Sequence, residues 1–260
     1  MTDTEFILIK KRLRALTGID LESYKSPQMR RRLDGYLERV RAPSWAEFLR
    51  MLDKDPQAMR QLRDFLTINV TNFFRDRPKW EELRTHIMPL IRRPGQALRA
   101  WSAACSIGAE PFSLAILFQE DRSIWRYHIV GTDIDRDALE KARAGGPYAA
   151  AEVKEMDPAW LARYFRRDHA GYWVQPILRQ RVEFAEKDLL RTTAREEFDL
   201  VVCRNVLIYF TEEAKDQALR GLVQALRMGG ILFIGATESI PPGRPGGLER
   251  ISLSFYRRVA

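Results

Sequence analysis

From about residue 97 the chain alternates short apolar runs with helical stretches, and it keeps this up to its end. Ala97–Ala103, Tyr127–Thr132, Arg181–Phe184, Phe198–Cys203, Ile231–Gly235 and Ile251–Arg257 read as strands. Pro111–Glu120, Asp135–Ala144 and Thr211–Arg227 read as helices between them, the last ended by Gly229-Gly230. Strands separated by helices cannot pair as hairpins, so this pattern dictates a mostly parallel sheet covered on both faces. In such sheets ligands bind outside the carboxyl ends of the strands, and the chemistry is expected there.

The first third is different. Phe6, Ile9, Leu13 and Leu16 recur at helical spacing and stop at Gly18. Pro27 opens a second helix whose stripe is Leu33, Tyr36, Leu37 and Val40. Ser44, with Glu47 three residues on, has a capping-box pattern, and Asp55-Pro56 opens a fourth helix carrying Leu62, Phe65 and Leu66. Two domains are therefore expected: a small all-helical one over 1–80 and an α/β one over 81–260.

Of the 260 residues 43 are Lys or Arg and 35 Asp or Glu, a net charge of +8. Residues 1–80 hold 17 basic and 11 acidic residues, so most of the excess lies there. It is densest from Lys10 to Arg41, with ten basic against four acidic residues, a field that attracts an acidic partner. No apolar run reaches the roughly 18 residues of a membrane span, and no secretory signal precedes the first helix. Two cysteines and three scattered histidines form neither a disulfide framework nor a metal-ligand spacing. A cytoplasmic protein without a metal is expected.

Three strand ends carry acids. After the first strand, Ala104-Cys105-Ser106-Ile107-Gly108-Ala109-Glu110-Pro111 offers a glycine for close backbone approach and a carboxylate at a helix start. It is neither G-x-G-x-x-G nor a phosphate loop. A pyrophosphate is repelled by Glu110, whereas a cationic ligand is attracted. Asp133 ends the second strand and can accept bonds from ribose hydroxyls. Asp188 and Leu189 follow the third and suit an adenine edge and face. Each has a structural alternative, as helix cap or dipole partner. Together they read as a nucleoside site suited to S-adenosylmethionine, with NAD open but lacking its glycine fingerprint. Arg204 and Asn205 end the apolar strand Phe198–Cys203, where burial is costly unless they bond something. Upstream, Leu66–Asp76 interleaves polar and aromatic residues in a way that a plain linker does not explain.

These residues resemble the CheR-type chemoreceptor glutamate methyltransferases. The likeness runs through Tyr24-Lys25, Arg31-Arg32-Leu33, Thr67–Arg75, Ala104–Pro111, Gly131–Asp135, Phe198–Phe210 and Gly235–Ser239. It implies a small helical domain followed by a Rossmann-like, class I S-adenosylmethionine-dependent methyltransferase domain. A small antiparallel β insertion, placed at about 168–183 from Gly171–Val174 and Ile177–Val182, is part of the family pattern; in some relatives it docks a receptor tail peptide. The resemblance puts cofactor residues at Asn69, Thr71, Arg75, Glu110, Asp133, Asp188, Leu189, Arg204 and Asn205. Asp188 stands where some relatives have Asn, and Ile107 and Ala109 where polar residues are commoner.

The implied reaction is attack of a glutamate carboxylate on the sulfonium methyl, leaving S-adenosylhomocysteine. A carboxylate is ionised at pH 7, so alignment rather than a general base is needed. Arg75, whose fork binds a carboxylate while staying charged, and Tyr209, a hydroxyl donor, are the catalytic candidates. Arg30, Arg31 and Arg32, with Lys10, Lys11, Arg12 and Arg14, are expected to steer the glutamate-rich cytoplasmic helices of methyl-accepting chemoreceptors. The protein is expected to be a monomer that binds neither nucleic acid nor membrane. Two alternatives stay open: a nucleic-acid methyltransferase, against which the basic residues lack interleaved stacking aromatics, and a non-catalytic cofactor-binding adaptor.

Overall fold

The computed structural model describes residues 1–67, 69–93, 95–191, 195 and 197–260; Ile68, inside the Thr67–Arg75 motif, lies outside them. Two compact units emerge, Met1–Ile68 with Ile208–Lys215, and Asn69–Leu207 with Asp216–Ala260. Residues 69–80, read from sequence as the end of the helical domain, cluster with the second unit. Phe73, Phe74 and Trp80 explain this, since all three are buried in that unit's apolar core.

The first unit holds helices α1 (Asp3–Thr17), α2 (Ser26–Arg39), α3 (Trp45–Leu52) and α4 (Pro56–Thr67). Thr2 and Glu5 close a reciprocal capping box at the start of α1, and Gly18 ends it in the left-handed region at φ 77°. Ser44 accepts the Glu47 N–H at 3.2 Å, and Asp55 Oδ1 accepts the N–H groups of Gln57 and Ala58. Leu13, Leu33, Leu62 and Leu66 are fully buried, with Tyr36 packed edge-on to Phe48 at 5.6 Å. Strand-like pairing joins the Ile208–Lys215 excursion to this unit: Lys25 N–H donates to Tyr209 O, and Thr211 N–H to Ser23 O, both at 2.9 Å.

The second unit begins with α5 (Arg77–Glu82), a π-turn over Leu83–Ile87 and α6 (Met88–Ile91). It continues with β1 (Leu98–Ala103), α7 (Ala109–Glu120), β2 (Tyr127–Asp133), α8 (Arg136–Ala144), α9 (Ala150–Val153) and α10 (Pro158–Tyr164). Next come β3 (Phe165–Asp168), β4 (Gly171–Val174), α11 (Pro176–Arg179), β5 (Val182–Glu186) and β6 (Phe198–Cys203). Helix α12 (Glu212–Ala225), which enters this unit from Asp216, β7 (Leu226–Ile234), β8 (Leu248–Arg250) and β9 (Phe255–Arg258) complete the chain. The seven-stranded sheet runs β5-β2-β1-β6-β7-β9-β8; the first five strands are parallel and β9 is antiparallel to both neighbours. Chain order reverses between β1 and β6, which makes their carboxyl ends the switch point. Every residue of β6 is buried, as a strand covered on both faces requires.

The amino end of β6 is fixed by charge. Asp199, 0% exposed, accepts the Arg99 N–H at 2.8 Å and pairs with Arg93 and Arg227. Such a buried carboxylate is tolerated because two arginines and a backbone N–H replace its water.

The small antiparallel sheet exists, but over 165–174 rather than about 168–183. Phe165 pairs with Val174 and Asp168 with Gly171. Asp168 Oδ1 accepts the N–H groups of Ala170 and Gly171, closing a tight turn. Gly171 is needed at φ 139°, because a Cβ there would lie 2.6 Å from Tyr148 O. Ile177-Leu178-Arg179, expected as the second strand, is instead helical behind Pro176, and Val182 begins β5 of the main sheet. Among the described residues no helix is long and apolar enough to cross a membrane.

Candidate cofactor and active site

The site residues of the second unit hang on strand ends, and the backbone there is contorted. Among the described non-glycine residues with left-handed φ, Ala104, Ser106 and Asn205 follow β1 and β6, and Phe74 and Asp76 flank Arg75. Each such residue costs roughly 1–2 kcal/mol and persists only where its surroundings over-determine it.

Asp133 supplies part of that determination. Its Oδ2 accepts the Ser106 N–H at 2.7 Å and its Oδ1 the Asp135 N–H at 2.9 Å. Burial pushes its carboxyl up to about 6, against the bonds from the Asp135 and Ser106 N–H groups. Asp135 in turn caps α8. Asn69 reaches both: its Oδ1 accepts from Ser106 Oγ at 2.7 Å and its Nδ2 donates to Asp135 Oδ2 at 2.6 Å. Asn69, Ser106, Asp133 and Asp135 thus form one network across the ends of β1 and β2.

A second network surrounds Glu110, at the start of α7. Ser102 Oγ donates to its Oε1 at 2.8 Å, and Arg204 lies 3.6 Å from its Oε2. Loss of water raises the Glu110 carboxyl, opposed mainly by the Arg204 charge. The Arg204 side chain is only 3% exposed. It donates to Arg75 O and to Asp76 Oδ2, each at 2.8 Å, and lies over the rings of Phe233 and Trp80. Arg75 is half-buried and donates from one guanidinium nitrogen to Val70 O at 2.9 Å.

Asn205 sits in the left-handed turn after β6, held by Glu238. That buried carboxylate accepts the N–H groups of Asn205, Leu207 and Gly235 at 2.7–2.9 Å. Gly235 allows this, since a Cβ there would lie 2.7 Å from Glu238 Oε2. Asp188 accepts the Leu190 N–H at 2.9 Å and opens the 3-10 turn Leu189–Arg191. Leu189 and Thr71 are half-buried. Tyr209 belongs to the Ile208–Lys215 excursion and clusters with the first unit.

The first unit also holds the arginine run. Arg30 pairs with Asp3 and covers the Phe6 ring, and Arg32 donates to Phe65 O and covers that ring. Lys10, Arg12 and Arg14 pair with Glu22, Asp53 and Asp20. Arg31 and Lys11 are exposed. Much of the basic charge expected to steer a substrate is therefore matched within its own unit.

Gly108, which sequence offered for close approach to a ligand, is required by packing as well. It lies at φ 85°, and a Cβ would meet Ala142 Cβ at 2.8 Å and the Phe184 ring at 3.1 Å. Sequence reasoning also passed over Asp76, Ser102, Asp135 and Glu238 as site residues. Asp76, Asp135 and Glu238 lay inside stretches that the sequence singled out, but their partners Arg204, Asn69 and the Asn205 N–H are far away in sequence, and Ser102 carried no signal of its own.

The donor set fits a cationic nucleoside. Asp133 is buried and the Glu110 side chain is 12% exposed beside the neighbouring strand end, and loss of water raises both carboxyls. A ligand bringing ammonium and sulfonium charge to Glu110 and hydroxyls to Asp133 relieves that cost.

Family comparisons divide the chain near residue 68, where the compact units also first part, but keep Ile208–Lys215 with the second domain. A family described as "CheR methyltransferase, all-alpha domain" matches residues 4–67. Another, "CheR methyltransferase, SAM binding domain", matches residues 69–256. The chain belongs to the CheR methyltransferase family. A chemotaxis protein methyltransferase of Listeria monocytogenes is 36% identical over 240 residues, covering 92% of this chain and 91% of its own. Chemotaxis protein methyltransferase 1 of Pseudomonas aeruginosa is 35% identical over 249 residues, covering 92% and 91%. The Escherichia coli chemotaxis protein methyltransferase is 33% identical over 249 residues, covering 92% and 85%. The fold is thus that of an all-helical CheR domain joined to a CheR S-adenosylmethionine-binding methyltransferase domain.

Proposed function

We propose that this CheR methyltransferase moves the methyl group of S-adenosylmethionine onto side-chain carboxylates of specific glutamates in the cytoplasmic helices of methyl-accepting chemoreceptors. Bound S-adenosylmethionine supplies an electrophilic methyl on a sulfonium. The chain's own residues bind, orient and exclude water. Glu110 holds the ammonium of the methionine part, and Asp133 accepts from ribose hydroxyls. Asp188 and Leu189 take the adenine edge and face. Asn69, Thr71, Arg204 and Asn205 shape the rest of the cofactor site. Arg75 holds a carboxylate oxygen without taking a proton from it, and Tyr209 donates to orient the attacking group. Too tight a grip would blunt the nucleophile, so orientation is the larger contribution.

The observation that carries this reading is Glu110. This carboxylate, 12% exposed, has Arg204 within 4 Å, and Arg204 is already shared with Asp76. A cationic ligand fills the deficit, which a pyrophosphate cannot. The family's relatives, named as chemotaxis protein methyltransferases, support an acceptor that belongs to chemotaxis. The basic first unit supports an acidic partner.

The test is incubation with radiolabelled S-adenosylmethionine and receptor cytoplasmic fragments, followed by alkaline release of methanol. Glutamate esters release it; methylated bases do not. Arg75→Ala is expected to lose about 10²-fold or more in kcat/KM, the scale of removing a charge-stabilising donor. Near-normal methylation by that variant rejects its role.

A further inference from the structure

The Phe74-Arg75-Asp76 segment is held in a conformation that its own residues disfavour. Phe74 lies at φ 53° and Asp76 at φ 61°, so the proposed substrate-facing arginine is bracketed by two left-handed non-glycine residues. Phe74 N–H donates to Ser113 Oγ at 3.1 Å, and Ser113 donates on to Ala109 O at 2.7 Å. Arg75 O accepts from Trp80 Nε1 at 2.9 Å and from Arg204 at 2.8 Å. Asp76 Oδ2 accepts from the same Arg204 nitrogen at 2.8 Å. Arg204 is walled in by Phe233 and Trp80, and its Nε is buried without a partner. Besides the Arg75 carbonyl its anchors are ionic: Asp76 on one side, and Glu110 at 3.6 Å on the other.

We propose that Asp76 is a positioning residue for methyl transfer, acting through Arg204 to fix the main chain that presents Arg75. Asp76 itself touches neither cofactor nor acceptor. Its carboxylate sets where the guanidinium sits, the guanidinium sets the Arg75 carbonyl, and the carbonyl sets the direction of the Arg75 side chain. Conversely, Glu110 keeps its partner when Asp76 is neutralised, because the Arg204 charge remains buried between Ser102-bound Glu110 and the two rings. Orientation of the acceptor therefore depends on Asp76 more than cofactor affinity does. Asp76 is 38% exposed, so neutralising it is tolerable for the fold.

The inference rests on Arg75 being the residue that holds the acceptor, so Arg75→Ala is measured beside it. Calorimetry with S-adenosylhomocysteine and methyl-transfer kinetics are compared for Asp76→Asn, Asp76→Glu and Arg204→Lys. Asp76→Asn is expected to keep the product dissociation constant within about threefold while kcat falls about tenfold or more, the scale of a small misplacement of reacting groups. Asp76→Glu restores most of that rate. Arg204→Lys, which keeps the charge but loses the fork that bridges Asp76 and the Arg75 carbonyl, is expected to lose at least as much rate, and it guards against failure of one variant to fold. Wild-type turnover by Asp76→Asn, or parallel loss of binding and rate, overturns the proposal. Near-normal turnover by Arg75→Ala overturns instead the reading on which it rests.

Discussion

Replacing Glu110 with Gln probes the electrostatic logic of the site. The amide keeps the volume and one oxygen for the Ser102 hydroxyl, now at 2.8 Å from Oε1. It removes the charge that Arg204 faces at 3.6 Å and that the proposed ligand ammonium would meet. A charge-assisted hydrogen bond is worth about 1.5–3 kcal/mol, so the dissociation constant of S-adenosylhomocysteine should rise roughly 10- to 100-fold at pH 7.5. Stability should change far less, because Arg204 keeps Asp76 as its counter-charge and a desolvated carboxylate is removed. The pH dependence sharpens the test. Burial raises the Glu110 carboxyl above its usual range, so lowering the pH protonates it early and weakens wild-type binding. A cation bound beside it opposes that protonation, so binding releases protons at acidic pH. Calorimetry from pH 5.5 to 8, in buffers of different ionisation enthalpy, measures affinity and proton release together. Glu110→Gln should bind weakly with a flatter profile. Binding within twofold of wild type at pH 7.5, or an unchanged profile, refutes the reasoning.

Asp133 gives a stability signature. Its folded carboxyl is raised to about 6 from an ordinary 3.8. The folded state thus holds this proton where the unfolded state releases it, and the group's contribution falls as pH rises from about 4 to 6. The difference is on the order of 3 kcal/mol; the urea midpoint of Asp133→Asn relative to wild type should improve between pH 4.5 and 7, and a constant difference counts against it. Asp199→Asn leaves Arg93 and Arg227 short of a buried counter-charge and should cost about 3 kcal/mol, with a lower melting temperature by calorimetry. KM for a glutamate-rich receptor fragment should rise on the order of tenfold between low and high salt. Arg31→Glu should mimic that rise at low salt, and salt-independent kinetics argue that the basic face only solvates.

The strand-helix alternation was legible because period and punctuation are local. The apolar run Phe198–Cys203 could only be a buried strand, and it is β6 residue for residue. Gly18, Ser44 and Asp55 marked helix ends because capping is a bond between near neighbours in sequence. The β3-β4 hairpin was misplaced because pairing register depends on which segments meet, and Ile177-Leu178-Arg179 has no local feature that forbids a strand.

Acids at the ends of β1 and β2 likewise followed from sequence alone, since strand direction places them on one edge. What those acids bind within the protein did not. Glu110 meets Arg204 and Asn69 meets Asp135 across long stretches of chain. Arginines 30 and 32, written in the sequence as free charge, are spent on Asp3 and on the carbonyl of Phe65. Chemical identity is a property of each residue, so a sequence states which charges a protein owns. Whether a charge stays free for a ligand depends on which partners packing brings within a few ångströms, and only the tertiary structure settles that.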